Sequence, residues 1–146
     1  MTAGPDTNSS IGRTLDVIGD RWTMLILRDV FRGLHRFGEL VESLGIARNL
    51  LAERLARLVD HEVLVKVPYC ERPLRHEYRL TPKGADLSRA LIALMRWGDR
   101  WESDGTAPTV LVHDRCGVEL ELELRCPTCD TDVSPAHVRS RPGRPS

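Results

Sequence analysis

Aromatic side chains are scarce in this chain. Three Trp, two Tyr and two Phe make 5% of 146 residues. A core must therefore come mainly from Leu, Ile and Val, and each Trp is worth locating. Net charge is also missing: 21 basic and 21 acidic side chains leave a formal sum of zero. Global charge thus gives no attraction to nucleic acid or anionic membranes, and only local clustering can. No apolar run approaches the ~20 residues that span a bilayer. Met1 to Asn8 is polar and lacks the apolar core of a secretion signal. These features predict a cytoplasmic protein without membrane partners. Cysteine is sparse, at four residues, and a reducing cytosol gives those thiols a reason other than structural disulfides. No nucleophile elbow, phosphate loop or paired acid–base motif is present, so the sequence offers no catalytic residues and does not read as an enzyme.

What is present is ordinary globular material, 41% hydrophobic and 29% charged, arranged in recognisable order. Residues 1–8 read as a loose tail. Ser9 or Ser10 can cap a helix with Ile11, Leu15 and Ile18 on one stripe. Gly19-Asp20 breaks it, and Asp20 can cap a second helix that buries Trp22, Leu25, Ile26 and Val30. Gly33 ends that helix in the usual position. Phe37, Leu40, Val41 and Leu44 mark a short third helix.

The stretch from Arg36 to Tyr78 carries the functional signal. Leu44-Gly45-Ile46 is a tight turn. From Ala47 to His61, one helical face holds Ala47, Leu50, Leu51, Leu55, Leu58 and Val59. The other holds Arg48, Asn49, Ala52, Glu53, Ala56, Arg57 and Asp60. Val63 to Tyr69 reads as a strand, Glu71 to Arg75 as a charged turn and His76 to Leu80 as the returning strand. This is a helix-turn-helix followed by a wing. Ala52 and Ala56 keep the outer face thin enough for a major groove. Arg48 suits guanine and Asn49 suits adenine, each through two hydrogen bonds. Arg54 and Arg57, with Arg72, Arg75 and His76 in the wing, suit phosphates, which fix register and supply salt-dependent affinity. The plainer reading, a solvated arginine face, applies to the helix alone. The turn spacing and the basic wing favour DNA.

Thr81-Pro82 is a strong helix start, and that helix is expected to run to about Glu102. It carries Leu87, Leu91, Leu94, Trp97 and Trp101. Packing between subunits, or an effector pocket, would use the two tryptophans. Ser103 to residue 109 reads as a linker. Beyond it Val118, Leu120, Leu122 and Leu124 alternate with Glu119, Glu121 and Glu123, which predicts a half-buried strand. Residues 137–146, with three arginines and two prolines, read as a disordered basic tail.

The extension 110–136 contains two ligand pairs, His113 with Cys116 and Cys126 with Cys129. Nine residues separate them. This spacing suits a zinc-ribbon-like knuckle pair holding one structural zinc. Reduced thiols on a β extension, or a Cys126–Cys129 disulfide, are the other readings of the same residues.

Several separate motifs resemble the HxlR family of bacterial winged helix-turn-helix regulators. They are Leu15-Asp16-Val17-Ile18-Gly19-Asp20-Arg21-Trp22-Thr23, Leu25-Ile26-Leu27-Arg28, Arg36-Phe37-Gly38-Glu39-Leu40, Leu51-Ala52-Glu53-Arg54-Leu55 and Glu77-Tyr78-Arg79-Leu80-Thr81-Pro82-Lys83-Gly84. The resemblance covers residues 9–102. It implies a mainly α fold with a small β-hairpin, and a homodimeric transcription factor that binds an inverted repeat in double-stranded DNA and can respond to a small-molecule effector. It places the dimer on the first and last helices of the winged domain, here Ile11, Leu15, Leu87, Leu91, Leu94, Trp97 and Trp101. Many family members carry a redox-active cysteine near the start of the first helix. Here Ser9-Ser10 stands there, so sensing through that residue is not available. Cys70, beside the wing, is the only thiol in the DNA-binding part. The alternative function is a protein-interaction module built on a winged helix with a structural zinc knuckle.

Overall fold

A computed structural model describes residues 9–143. The predicted tail 1–8 and the last three residues of the basic tail lie outside them. Helix α1 is Ser10–Ile18, α2 is Arg21–Phe31, α3 is Phe37–Leu44 and α4 is Arg48–Asp60. The hairpin is β1, Leu64–Glu71, antiparallel to β2, Leu74–Leu80. Helices α5, Pro82–Asp86, and α6, Ser88–Trp101, follow.

Local chemistry sets these boundaries. The Ser9 hydroxyl accepts from the Gly12 N–H at 2.9 Å and caps α1. The Asp20 carboxylate accepts from the Thr23 N–H at 3.1 Å and caps α2. Gly33, just past the end of α2, has φ +96°, where a side chain would be strained. Thr81 caps α5 through the Gly84 N–H at 3.0 Å, with Pro82 at the first helical position.

The core collects one stripe from each element. Ile26 and Leu27 of α2, Leu40 of α3, Leu51, Leu55 and Leu58 of α4, and Val63 and Leu64 at the start of the hairpin are all essentially inaccessible. Each fully buried side chain of this size contributes about 1.5–3 kcal/mol. Trp22 packs against the cluster without being fully enclosed. Asp29 is also fully buried. Its carboxylate accepts from Arg28 Nε at 2.8 Å and from Ser43 Oγ at 2.6 Å, and so ties α2 to α3.

Three expectations need correction. The helix predicted from Pro82 to about Glu102 is interrupted at Leu87. There the N–H turns back to the Gly84 carbonyl, 3.1 Å, and closes α5 in a tight turn before α6 begins. The wing turn is shorter than the predicted Glu71 to Arg75: Glu71 belongs to β1, and Leu74 and Arg75 belong to β2, with Arg75 opposite Cys70. The alternating segment 118–124 is not a half-buried strand: Val118, Leu120, Leu122 and Leu124 are all exposed. Its pattern suits a sheet face, but the described chain offers it no sheet to lie on. Pairing there is limited to a Val112–Glu119 bridge and the two-residue strands β3, Arg125–Cys126, and β4, Thr131–Asp132. A single 3₁₀ turn, Pro135–His137, follows.

The chain divides into two compact units between Leu91 and Ile92, within α6. No helix among the described residues is long and apolar enough to cross a membrane.

Candidate nucleic-acid interface

Gly45 makes the turn between α3 and α4 possible. It caps α3 in the left-handed region, φ +61°, and its N–H closes on the Val41 carbonyl at 2.9 Å. Ile46 then drops into the core, and α4 starts two residues later. With Leu51, Leu55 and Leu58 facing inward, helical periodicity turns Arg48, Asn49, Ala52 and Ala56 to solvent, and all four are exposed. The 13-residue rod is about 20 Å long. No side chain caps it at Ala47, so its first N–H groups also face outward. Arg48 lies over the Phe37 ring, 5.2 Å from its centroid, which holds the guanidinium at the start of the helix.

The wing is fastened to the residues before α3. The Tyr78 N–H donates to the His35 carbonyl at 2.7 Å, and His35 Nδ1 lies 3.1 Å from the Tyr78 carbonyl. Arg36 bridges to Glu77 and stacks on Tyr69, 4.3 Å from the ring centroid. Register shifts between Pro68 and Cys70, which sets Tyr69 at an irregularity in β1. At the far end Arg72 and Arg75 are exposed, while His76 is half-buried.

Arg54 and Arg57, expected to hold phosphates, also make bonds within the chain. Arg54 Nε donates to Asp20 Oδ1 at 3.0 Å and Nη1 to Glu53 Oε1 at 2.7 Å. Burial pushes the Asp20 carboxyl up, but the Thr23 hydroxyl, the Thr23 N–H and Arg54 together hold it below its ordinary value. The bond to Asp20 in turn raises the Arg54 guanidinium. Arg57 donates to the Asp16 carbonyl. Both side chains bind α4 to its neighbours.

The expected dimer residues also separate into two groups. Ile11, Leu15, Leu94, Trp97 and Trp101 are exposed, whereas Leu87 and Leu91 are half-buried against the core. The Ser9-Ser10 stretch is occupied by capping. Cys70 Sγ lies 3.7 Å from the Arg72 carbonyl. His113 and Cys116 come together, as do Cys126 and Cys129, but no three metal-donor side chains converge among the described residues. Sequence reasoning missed Asp29 with Ser43, Asp20 with Arg54 and Arg36 with Tyr69. Each pairing joins residues from different elements, and no single-sequence periodicity marks it.

A family model described as HxlR-like helix-turn-helix matches residues 17–106. This chain belongs to the HxlR family. HxlR-like proteins are transcriptional regulators and not enzymes, and the chain is read as a DNA-binding transcriptional regulator on that basis. It is 43% identical over 135 residues to the HTH-type transcriptional regulator Rv3095 of Mycobacterium tuberculosis, covering 92% of this chain and 85% of that one. It is similar to the crystal structure of the transcription factor PA1607, with a TM-score of 0.83 and 40% identity. That match covers 93% of this chain and 96% of PA1607. The reduced form of the regulator YodB from Bacillus subtilis matches with a TM-score of 0.56 and 29% identity, covering 98% of YodB but 67% of this chain. The HxlR match accounts for the winged part, and the two longer relatives also span most of the extension.

Proposed function

We propose that this HxlR regulator works as a homodimer on an inverted repeat, with α4 of each subunit in a major groove and each wing on the flanking backbone. The observation that carries the reading is the outward face of α4, where small and hydrogen-bonding side chains stand over a fully buried leucine stripe. Arg48 and Asn49 read bases, and Ala52 and Ala56 let the helix approach. Arg72 and Arg75 hold phosphates. Arg54 and Arg57 act as positioning residues, keeping α4 seated on α2 and α1.

We assign two exposed apolar patches to the second subunit: Ile11 and Leu15 on α1, and, separately, Leu94, Trp97 and Trp101 on α6. Effector response is part of the same reading. A groove of about 560 Å³ lined by Arg96, Trp97, Asp99, Arg100, Trp101 and Glu119 offers aromatic contacts and charges of both signs to an amphipathic small molecule. Such a ligand changes DNA affinity only if it prefers one arrangement of the dimer.

The test separates base reading from phosphate holding. Arg48→Ala is expected to relax base preference at one position of each half-site, at a cost of about 1–3 kcal/mol on the best site. Arg72→Ala should weaken binding on all duplexes alike and lower the slope of log affinity against log salt by about 0.9 per subunit. Quantitative binding to matched and mismatched duplexes over a salt series measures both. If the two variants behaved identically, the division of roles would be wrong. If neither affected duplex binding, the protein-interaction alternative would gain.

A further inference from the structure

The extension builds one kind of turn twice. In the first, the His113 carbonyl accepts from the N–H of Gly117, four residues on, at 2.7 Å. In the second, the Cys126 carbonyl accepts from the N–H of Asp130, again four residues on, at 2.9 Å. In both, the residue just after the second donor is left-handed: Gly117 at φ +69° and Asp130 at φ +56°. Each turn closes a small hairpin. The first is held by His113 N–H to the Val118 carbonyl, 2.8 Å, and Leu120 N–H to the Leu111 carbonyl, 2.9 Å. The second is held by β3, β4 and the Val133 N–H on the Leu124 carbonyl, 2.7 Å.

Each turn also brings two metal-donor side chains together. His113 Nδ1 lies 3.2 Å from Cys116 Sγ. At the other turn the Cys126 carbonyl bond to the Asp130 N–H, 2.9 Å, folds the chain so that Cys126 and Cys129 share one tight turn. A left-handed residue after the second donor turns the chain back on itself directly after the pair. One such turn is a common local structure. Two of them, each carrying a pair of donors three residues apart, in one short extension, call for a shared purpose.

We propose that His113, Cys116, Cys126 and Cys129 bind one zinc ion. Three sulfurs and one imidazole suit a tetrahedral, borderline-soft divalent ion. On binding, the three thiols release three protons to solvent and the neutral imidazole donates a lone pair, so no oxidant or reductant is needed. Four protein donors leave no open position, and the ion is therefore structural. The two turns are preformed half-sites, and the ion draws them together. The link between them allows this, because the backbone of residues 121–123 makes no hydrogen bond among the described residues. Closure also gives a purpose to an extension in which Val112, Val118, Leu120, Leu122 and Leu124 are exposed.

This inference does not depend on DNA binding, and its test does not use it. The full chain, gel-filtered in metal-free buffer, is analysed for zinc. It is also refolded with Co2+ and examined for thiolate-to-cobalt absorption. One equivalent of zinc per chain is expected, with Cys116, Cys126 and Cys129 protected from thiol reagents until a chelator is added. Cys126→Ser and Cys116→Ser should each reduce zinc below ~0.1 equivalent, because each removes one arm of the site. The proposal is overturned if the unmodified protein holds no zinc and the thiols of Cys116, Cys126 and Cys129 react freely. A Cys126–Cys129 disulfide recovered from reducing buffer, or zinc retained by both serine variants, overturns it too. Should a variant fail to fold, the cobalt spectrum and thiol protection of the unmodified chain still decide.

Discussion

Asp20 serves two elements with one carboxylate. It caps α2 through Thr23 and anchors Arg54 of α4, 34 residues away. Asp20→Ala should therefore cost about 1 kcal/mol or somewhat more near neutral pH. The pH dependence has a definite sign. The folded-state value lies below the ordinary 3.8, so the stabilisation is present in full above that value and is lost as pH falls through the folded one. Denaturant unfolding of both proteins should show a gap at pH 7 that closes in the acid range below about 3.8. A gap that persisted unchanged in strong acid would mean that the carboxylate's charge is not what matters. At this scale the local roles were legible. Ser9, Asp20, Gly33 and Thr81 act within four residues of themselves, and residue type and spacing suffice to find them. The partner of Arg54 was not legible, because nothing near Arg54 in the chain points to α2. The burial of Asp29 was hidden for the same reason, since Ser43 is its distant partner.

The elements of the winged part follow from apolar periodicity because a single core satisfies them all. The helix α4 and its turn were legible in full, down to Leu44-Gly45-Ile46. The break at Leu87 was not, because the apolar stripe continues through it, while Gly84 packs closely on the Val63 carbonyl just before β1. A methyl group added at Gly84 would sit 2.1 Å from the Val63 carbonyl. Gly84→Ala should thus push α5 off the start of the hairpin and cost about 1–3 kcal/mol, read as a lowered thermal midpoint. An unchanged midpoint would show that α5 can shift freely. Segment 118–124 misled for the opposite reason. Alternation reports which sides a strand could present, but it does not supply a sheet.

At the level of the whole molecule, the reading requires two copies. Ile11 and Leu15 are 73% and 56% exposed in the single chain, yet both are large and apolar on one stripe of α1. Replacing both by Asp should leave helix content intact and shift sedimentation from dimer to monomer, with loss of affinity for any twofold site. Sedimentation unchanged by the pair of substitutions would move the dimer surface elsewhere. Family membership was readable from separate motifs in order, whereas the target sequence and any effector are written in contacts that no single chain displays.

The central claim is that α4 reads duplex DNA twice, once from each subunit. Selection of bound sequences from a pool of random duplexes, followed by sequencing, tests it most directly. The expected product is one short motif repeated in inverted orientation, with half-site centres about one helical turn, ~34 Å, apart. Enrichment of a solitary half-site without a twofold mate, or no enrichment at all, would contradict it.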